Sequence, residues 1–428
     1  MHTYTINRFI RRAILVLLPA AFAVAGCRKS ATAANNVDGG GQPAGDTSYV
    51  PAPTPVGTPA GNAEQVTISP AGGTFTTADN RLLLDFPAGA VTASTTFTIQ
   101  PVKNNCPGGV GLSYLVTPHN VVLHHPVTLT LSYGDSDVIN SIPLALTVAS
   151  QDTGGYWHPG AHTVKDTLHK KVTVQTDHFS SWSLFHAFEM TPAATVVPPG
   201  GSVNLYVTKY TDVTGDSLLP VAIDIVNKEA AVKAWQLAGA GQLMQHPGYA
   251  VYTAPGAVPA VNPVTVSAAL NLPGPGKYIL ASNIYIGNEG LTFRIDNGPW
   301  MGGPSEGVIF TGYNYELTAA NKYTPQNDGV TITWTGSTHL NEFAPWKILF
   351  PSFLYGEQPT ITYNQLLLPQ GKASPGGIYF DKAFKTDATP YAIGVFYLQP
   401  AQKVVVAPGS IPQYSIHRIE GFFRVKWK

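Results

Sequence analysis

The sequence predicts an all-β protein, built as tandem β-sandwich modules that follow an N-terminal signal segment and a flexible linker. Glycine (42 residues) and proline (36 residues) are frequent, as expected where many turns join many short strands. Runs such as Thr96 to Val102 and Phe423 to Lys428 alternate apolar and polar residues with the period of a half-buried strand. Outside the N-terminal segment, only the stretch Asn227 to Trp235 suggests a helix, and a short one.

The chain divides into five parts, of which composition marks the first two and family resemblances in residues 64–276 mark the others. We predict a signal peptide at residues 1–26 and a linker at 27–63. Three β modules follow, at residues 64–188, 189–276 and 277–428.

Charge and cysteine content limit the possible partners. Charged residues are 12% of the chain, against about 25% in an average soluble domain. The formal net charge is zero and no cluster of lysine and arginine is present, so we expect no nucleic-acid partner. Cys27 and Cys106 are the only cysteines. A lone Cys106 without a nearby base is expected to be chemically inert.

The N-terminal segment resembles the lipobox of bacterial lipoproteins. Arg8, Arg11 and Arg12 precede an uncharged run from Ala13 to Ala23, and Val24-Ala25-Gly26-Cys27 closes it. The run is shorter than the ~20 residues of a transmembrane helix. The resemblance implies cleavage before Cys27 and a covalent diacylglycerol and N-acyl lipid on that residue, without any other cofactor. An ordinary secretory signal with a chance cysteine is the alternative.

Residues 28–62 are mainly alanine, glycine, proline, threonine and asparagine. Such a composition buries too little apolar surface to offset its ordering entropy, so we expect a flexible tether. No aspartate follows Cys27, and by resemblance to enteric lipoproteins this favours the outer membrane. The body would face either the periplasm or the medium.

The first module resembles a ZU5 domain, the β-sandwich of ankyrins, netrin receptors and the death-domain protein PIDD. The resemblance covers residues 65–186 and depends on several segments in the family's order. These are Ser69-Pro70-Ala71-Gly72-Gly73, Phe86-Pro87-Ala88-Gly89-Ala90, Val116-Thr117-Pro118 and the strand Val127 to Tyr133.

The second module looks like a bacterial immunoglobulin-like repeat. A Pro-Gly turn opens it at Pro199-Gly200, and Trp235, Tyr252-Thr253-Ala254-Pro255 and the strand Val264 to Ala268 follow. Trp235 is expected to fill the space between two sheets. The third module matches no family that we can name. It carries two hairpin signals, Asp296-Asn297-Gly298 and Asn327-Asp328-Gly329.

The sharpest candidate for chemistry is the tripeptide His178-Phe179-Ser180. It resembles the self-cleavage site of PIDD. The resemblance implies that Ser180 attacks the carbonyl of Phe179 while His178 takes the hydroxyl proton, and water then hydrolyses the ester. The alternative is structural, with Phe179 and Trp182 in the core of a last strand.

Metal sites are weakly indicated. Eight histidines lie in the first module without the spacing of a known metal site, so we expect none. The segment Asp212 to Ser217 and the pair Asp135 and Asp137 could seat calcium, but the further acidic ligand of an EF-type loop is lacking and we expect a solvated turn at each.

Aromatic residues are dense in the third module. Trp300, Trp334 and Trp346 are weak candidates for a ligand-binding face. Core packing and cross-strand pairing are the alternative.

Taken together, these features favour a lipid-anchored, non-enzymatic protein of the outer membrane, acting in binding, adhesion or as a scaffold. Its partners would be the membrane and either a glycan or an envelope protein. A self-cleaving module and a glycan-capturing accessory of a polysaccharide-uptake system are the alternatives.

Overall fold

The computed structural model describes residues 51–210, 221, 224–225, 232–271, 278–320, 329–335, 342–358, 360–383 and 390–428. The predicted signal peptide, Cys27 and the predicted calcium loop at residues 212–217 lie outside these ranges. The all-β prediction is confirmed, since strands account for 60% of the structure and helix for 2%. Within the described ranges, helix is limited to two 3₁₀ turns, Asp135–Val138 and Pro143–Ala145.

Residues 64–186 form two antiparallel sheets packed face to face. The six-stranded sheet has the order β1-β4-β5-β11-β7-β8 and the five-stranded sheet the order β2-β3-β6-β10-β9. The strands are β1 (Glu64–Ile68), β2 (Gly73–Thr76), β3 (Leu82–Phe86), β4 (Thr95–Lys103), β5 (Gly109–Thr117), β6 (Val127–Ser132), β7 (Leu146–Gln151), β8 (Trp157–Pro159), β9 (Val164–Asp166), β10 (Lys171–Thr176) and β11 (Ser181–His186).

Alternating side chains of both sheets fill the space between them. In β3, for example, Leu82, Leu84 and Phe86 are buried and Asp85 is exposed. These residues belong to one core with Phe97 of β4 and Leu129 of β6. The segment Ser69 to Gly73 connects β1 to β2, and these two strands join different sheets.

Residues 188–286 form a second pair of sheets. Their orders are β12-β14-β18-β17, with β15 paired to β14, and β13-β20-β19-β16. The strands are β12 (Phe188–Thr191), β13 (Ala194–Val197), β14 (Ser202–Lys209), β15 (Asp224–Ile225), β16 (Val232–Ala238), β17 (Gln242–His246), β18 (Tyr249–Thr253), β19 (Val264–Leu270) and β20 (Tyr278–Ile286).

Two expectations for this region are corrected. Strand β20 pairs with β19 and, in parallel, with β13, so the predicted boundary at residue 277 falls before the last strand of this sheet. Of the predicted helix at 227–235, residues 227–231 lie outside the described ranges. The remainder begins β16, where pairing with β19 overrides the local helix signal. Trp235 is buried in the core between the two sheets, as expected.

Residues 290–428 form an eleven-stranded sheet with the path β22-β21-β33-β32-β28-β27-β25-β24-β23, to which β31 and β26 attach beside β32. Its strands, with the small sheet β29-β30, are β21 (Gly290–Ile295), β22 (Met301–Gly303), β23 (Ser305–Phe310), β24 (Asn314–Ala320), β25 (Gly329–Thr335), β26 (Glu342–Pro345), β27 (Ser352–Gln358), β28 (Ile361–Asn364), β29 (Leu366–Leu367), β30 (Lys372–Ala373), β31 (Gly376–Lys382), β32 (Tyr391–Val405) and β33 (Gln413–Lys426).

Two local predictions for this sheet are confirmed. The turn at Asp296-Asn297-Gly298 joins β21 to the segment before β22, with φ of 50° and 60° at its first two residues. At the C-terminus, Phe423 and Val425 are buried while Arg424 and Lys426 are not, as the alternation indicated. A parallel bridge between Val308 and Trp427 places β23 next to the end of β33.

Buried contacts join the three groups of sheets. Tyr210, which follows β14, packs against Trp157 and Phe185 of the first group. Ala193 and Ala194, beside and within β13, pack against Tyr379 of the third group. The backbone N–H of Ala193 also donates to the Tyr379 hydroxyl at 2.9 Å. The three modules are therefore joined by buried contacts and are not independent domains on flexible linkers.

The end of the predicted linker is ordered. Residues 54–61, here called the strap, lie along the first module. Backbone hydrogen bonds join Ala60 to Pro101 and Lys103 to Thr58, so the strap continues the edge of the sheet from β1. The low content of apolar side chains predicted a tether up to residue 62. The strap is instead ordered by backbone hydrogen bonds, which do not require apolar side chains.

Among the described residues, no helix is long and apolar enough to cross a bilayer.

Candidate functional site

The tripeptide His178-Phe179-Ser180 lies where the chain passes from one sheet of the first module to the other. Strand β10 ends at Thr176 in the five-stranded sheet, and β11 begins at Ser181 in the six-stranded sheet. The Thr176 hydroxyl fixes this crossing, because it accepts from the His178 backbone N–H at 3.2 Å and donates to the His178 carbonyl at 2.8 Å.

Phe179 is a core residue. Its ring lies 5.1 Å from that of Phe97 and 5.8 Å from that of Phe86, measured between centroids. Trp182 is also buried, as the structural alternative predicted. The tripeptide precedes β11, however, so strand alternation does not determine the position of Phe179. Insertion of the Phe179 ring into the aromatic cluster holds the crossing in place.

The groups required for self-cleavage are not aligned in this conformation. The Ser180 hydroxyl donates to the Ser181 carbonyl at 3.2 Å. The His178 ring has its Nδ1 3.0 Å from the Asp177 carboxylate and lies 5.5 Å from the Trp182 ring. In the described part of the chain, no hydrogen bond joins His178 to the Ser180 hydroxyl. The hydrogen bond from His178 lowers the pKa of Asp177. The His178 imidazole is thus bound to the Asp177 carboxylate and not to the Ser180 hydroxyl.

A cavity of about 770 Å³ opens beside the tripeptide. Ser180 and Ser181 form part of its floor, and the turn at residues 152–155, between β7 and β8, forms one side. His119, His158 and His178 are at its rim. The volume is within the ~300–1,000 Å³ range of small-molecule sites. Sequence analysis singled out the tripeptide but not this turn, for which the Gly154-Gly155 pair was the only signal.

Gln151 at the end of β7 contributes a buried polar group to this cavity. Its side-chain Nε2 donates to the Thr54 carbonyl at 2.7 Å, which fixes the orientation of the amide. Its Oε1 then has no hydrogen-bond donor among the described residues, although the residue is only 5% exposed. Buried amide oxygens in proteins nearly always have a donor, whereas Gln151 Oε1 is an unpaired acceptor within the described ranges, enclosed by protein and not open to the cavity.

The strap forms another wall of the cavity. Thr54 to Val56 line it. The backbone N–H of Thr54 donates to the Gly155 carbonyl at 2.9 Å, and the Thr54 hydroxyl accepts from Trp157 Nε1 at 2.9 Å. Gly155 has φ of +87°, and a Cβ on it would lie 2.7 Å from the Thr54 carbonyl oxygen. Close approach of the strap therefore requires glycine at this position.

Among the described residues, Asp152 is the one acidic residue that lines this cavity. Its carboxylate lies 2.9 Å from His158 Nε2 and accepts from the backbone N–H groups of Gly154 and Tyr156. Partial burial alone would raise the pKa of Asp152, but the hydrogen bonds from His158 and the backbone lower it. The carboxylate is thus already engaged by protein groups, and the polar lining is otherwise hydroxyl, amide and imidazole.

His119, His158 and His178 line the same cavity, whereas the other described histidines of the first module lie elsewhere. Several histidines of the module lie near a carboxylate: His158 near Asp152, His169 near Asp166, His178 near Asp177 and His186 near Glu189. In the described ranges, no group of three or more histidine, cysteine, aspartate or glutamate residues is arranged to hold a metal ion. Asp137 is bound by Arg81 and by the Gly134 N–H, and Asp135 by Lys170.

The candidate tryptophans of the third module are mostly core residues. Trp334 is 0% and Trp346 4% exposed, and their indole N–H groups donate to the carbonyls of Ala383 and Tyr397. Neither can present a ring to a ligand at the surface, because alternation in β25 turns Trp334 inward and Trp346, which follows β26, is buried in the same core. Trp300 is half-buried, with the Arg294 guanidinium 4.5 Å from its ring centroid.

A second polar cluster joins the first and second modules. The Glu189 carboxylate accepts from the Tyr210 hydroxyl and from Asn140 Nδ2 at 2.8 Å, and His186 Nδ1 lies 3.7 Å away. Burial, and then the nearby carboxylate, raises the pKa of Tyr210 well above its ordinary value. These groups satisfy each other, which indicates a role in holding the two modules together.

Cys106 lies in the same junction. It is buried, and burial raises the pKa of its thiol far above the physiological range. The thiolate is the reactive form of cysteine, so the predicted inertness has a physical basis here.

A scan against protein-family models and a search of curated proteins both find no match to this chain.

Proposed function

We propose that this protein is a lipid-anchored, non-enzymatic component of the bacterial cell envelope that binds a glycan or an envelope protein. The observation that carries the proposal is the segment Val24-Ala25-Gly26-Cys27 behind a basic cluster and a short apolar run. Its resemblance to a lipobox makes Cys27 the acylated residue, and the lack of a following aspartate favours the outer membrane.

The architecture of the body supports a binding or scaffold role. Buried contacts at Tyr210 and at Ala193 and Ala194 connect the three modules, so their surfaces keep a fixed geometry. If the strap begins the body at Thr54, residues 28–53 separate it from Cys27. A chain of that length reaches at most about 90 Å. The anchor would thus let the whole body reach partners well beyond the lipid surface.

Metabolic labelling tests the anchor. Cells expressing the full chain are grown with radiolabelled palmitate, beside a Cys27→Ser variant and a Cys106→Ser control. We expect label in the unchanged chain and in Cys106→Ser, none in Cys27→Ser, and accumulation of precursor with globomycin. Label that is absent from the unchanged chain, or retained in Cys27→Ser, would overturn the proposal. Protease treatment of intact cells then separates a surface-facing body from a periplasmic one.

A further inference from the structure

Two connections of the third module carry exposed apolar side chains. The hairpin tip, residues 309–313 at the turn from β23 to β24, includes Phe310, which is 56% exposed, and Tyr313, which is 87% exposed. The loop tip, residues 347–350 between β26 and β27, includes Leu349, which is 72% exposed. Apolar surface left in water costs free energy in proportion to its area, and several large apolar side chains exposed together mark a contact surface.

The strand register places the two tips at the same end of the sheet. Asn314, the first residue of β24, pairs with Thr335 of β25. Ser352, the first residue of β27, pairs with Thr333 on the other side of β25. Both neighbours run antiparallel to β25, so the residues that precede Asn314 and Ser352 leave the sheet beyond the same end of that strand.

The composition of the tips fits the boundary between lipid and water. The hairpin tip is Ile309-Phe310-Thr311-Gly312-Tyr313 and the loop tip is Lys347-Ile348-Leu349-Phe350, and neither contains an acidic residue. A tyrosine combines an apolar ring with a polar hydroxyl, and a lysine combines an apolar stem with a charged end, so both can lie across such a boundary. The lysine is also attracted to anionic headgroups.

The proposed anchor keeps a bilayer within reach of the body. Residues 28–53 separate Cys27 from the strap, and a chain of that length spans at most about 90 Å. A lipid surface requires no shape match, because each apolar side chain that enters it contributes through its own buried area. A protein partner requires a continuous, well-packed patch. Two tips from separate connections therefore suit a bilayer better than a protein.

We propose that the hairpin tip and the loop tip insert into the bilayer that carries the Cys27 lipid, so that the body docks reversibly through one end of the third module. The inference rests on the proposed lipid anchor and adds a second membrane contact to it. Docking would also orient the first and second modules relative to the bilayer, because buried contacts join them to the third module.

Fluorescence from introduced cysteines tests the docking. Lipidated Tyr313→Cys and Leu349→Cys chains are purified, labelled with a nitrobenzoxadiazole maleimide and reconstituted into vesicles of phosphatidylethanolamine and phosphatidylglycerol. Cys106 is buried and its thiol pKa is raised, so it should take no label, and an acylated Cys27 has no thiol. We expect emission from both positions at shorter wavelength than from a probe in water, and quenching by lipids with a nitroxide on the acyl chain.

Val122→Cys is the matched control. Val122 is 72% exposed, as Leu349 is. It follows β5 at the end of the first module opposite His186, and His186 lies at the junction with the second module. A probe at Val122 should therefore emit as in water and should not be quenched. The thermal unfolding temperature of each labelled variant is compared with that of the unchanged chain, so that only folded protein is scored.

Flotation of the protein with the vesicles in a density gradient separates failure of the docking from failure of the anchor. If the protein floats while either tip probe stays unshifted and unquenched, docking through both tips is wrong and the anchor stands. Equal quenching at Val122 would also overturn the docking, because lipid contact would then not be specific to the tips. Protein that does not float contradicts the anchor, and with it this inference.

Discussion

Replacing Tyr210 by phenylalanine tests whether the polar junction between the first two modules stabilises the body. The Tyr210 side chain is 7% exposed and its hydroxyl donates to the Glu189 carboxylate. A hydrogen bond to a charged group contributes about 1.5–3 kcal/mol. Phenylalanine keeps the ring against Trp157 and removes only this bond. We therefore expect Tyr210→Phe to lower the free energy of unfolding by about 2 kcal/mol.

Urea denaturation followed by far-ultraviolet circular dichroism measures the change. Tyr249→Phe is the matched control, because Tyr249 lies in the same module, is half-buried and packs by ring stacking on His246 at 4.4 Å. It should change the free energy of unfolding by less than about 0.5 kcal/mol. Equal losses of unfolding free energy in the two variants would refute the reasoning. The hydrogen bond from the Tyr210 hydroxyl to Glu189 would then contribute no measurable stability.

Three further outcomes are expected. Burial raises the pKa of several tyrosines, to about 12 for Tyr285, while a tyrosine in the unfolded chain titrates near pH 10. Because the folded state holds these protons more tightly, the stabilisation from these tyrosines is complete below about pH 10 and is lost towards pH 12; urea midpoints that stay constant between those two values would contradict this. Gly57→Ala should release the strap, because the added Cβ would lie 1.7 Å from the Lys103 carbonyl oxygen. Gly61→Ala is the control, since its Cβ would meet only Pro101 carbons at 3.4 Å. We expect faster proteolysis N-terminal to β1 in Gly57→Ala alone, and equal proteolysis rates in the two variants would contradict this. A denaturing gel of the mature protein should show one band at full length, identical in Ser180→Ala, since no base among the described residues contacts the Ser180 hydroxyl. Two bands that merge in the variant would establish self-cleavage instead.

Local strand and turn chemistry could be predicted from sequence because it depends on neighbours in the chain. The alternation at Phe423 to Lys428 and the turn at Asp296-Asn297-Gly298 are examples, and both are present in the structure. Pairing partners could not be predicted in the same way. Strand β11 lies between β5 and β7, and no local pattern encodes which distant strand will supply its hydrogen bonds.

The candidate site shows the same division. The sequence drew attention to His178 and Ser180, but the cavity beside them depends on Gln151 and on Thr54, which is distant along the chain. The exposure of the tryptophans could not be predicted from sequence either. A strand residue can face either side of a sheet, and the packing of the complete sheet determines that Trp334 is buried. A glycine- and proline-rich composition likewise does not reveal that residues 54–61 pair along an edge.

The position of the strap has a mechanical consequence for a protein held by its N-terminal side. A pulling force applied there would reach the Thr54–Gly155 hydrogen bond before those at Thr58 and Ala60. The hydrogen bonds of the strap would accordingly break one after another, and the force would reach the sheets only after the strap had detached. Since Thr54 to Val56 also line the cavity, such a force would displace that wall of the cavity first.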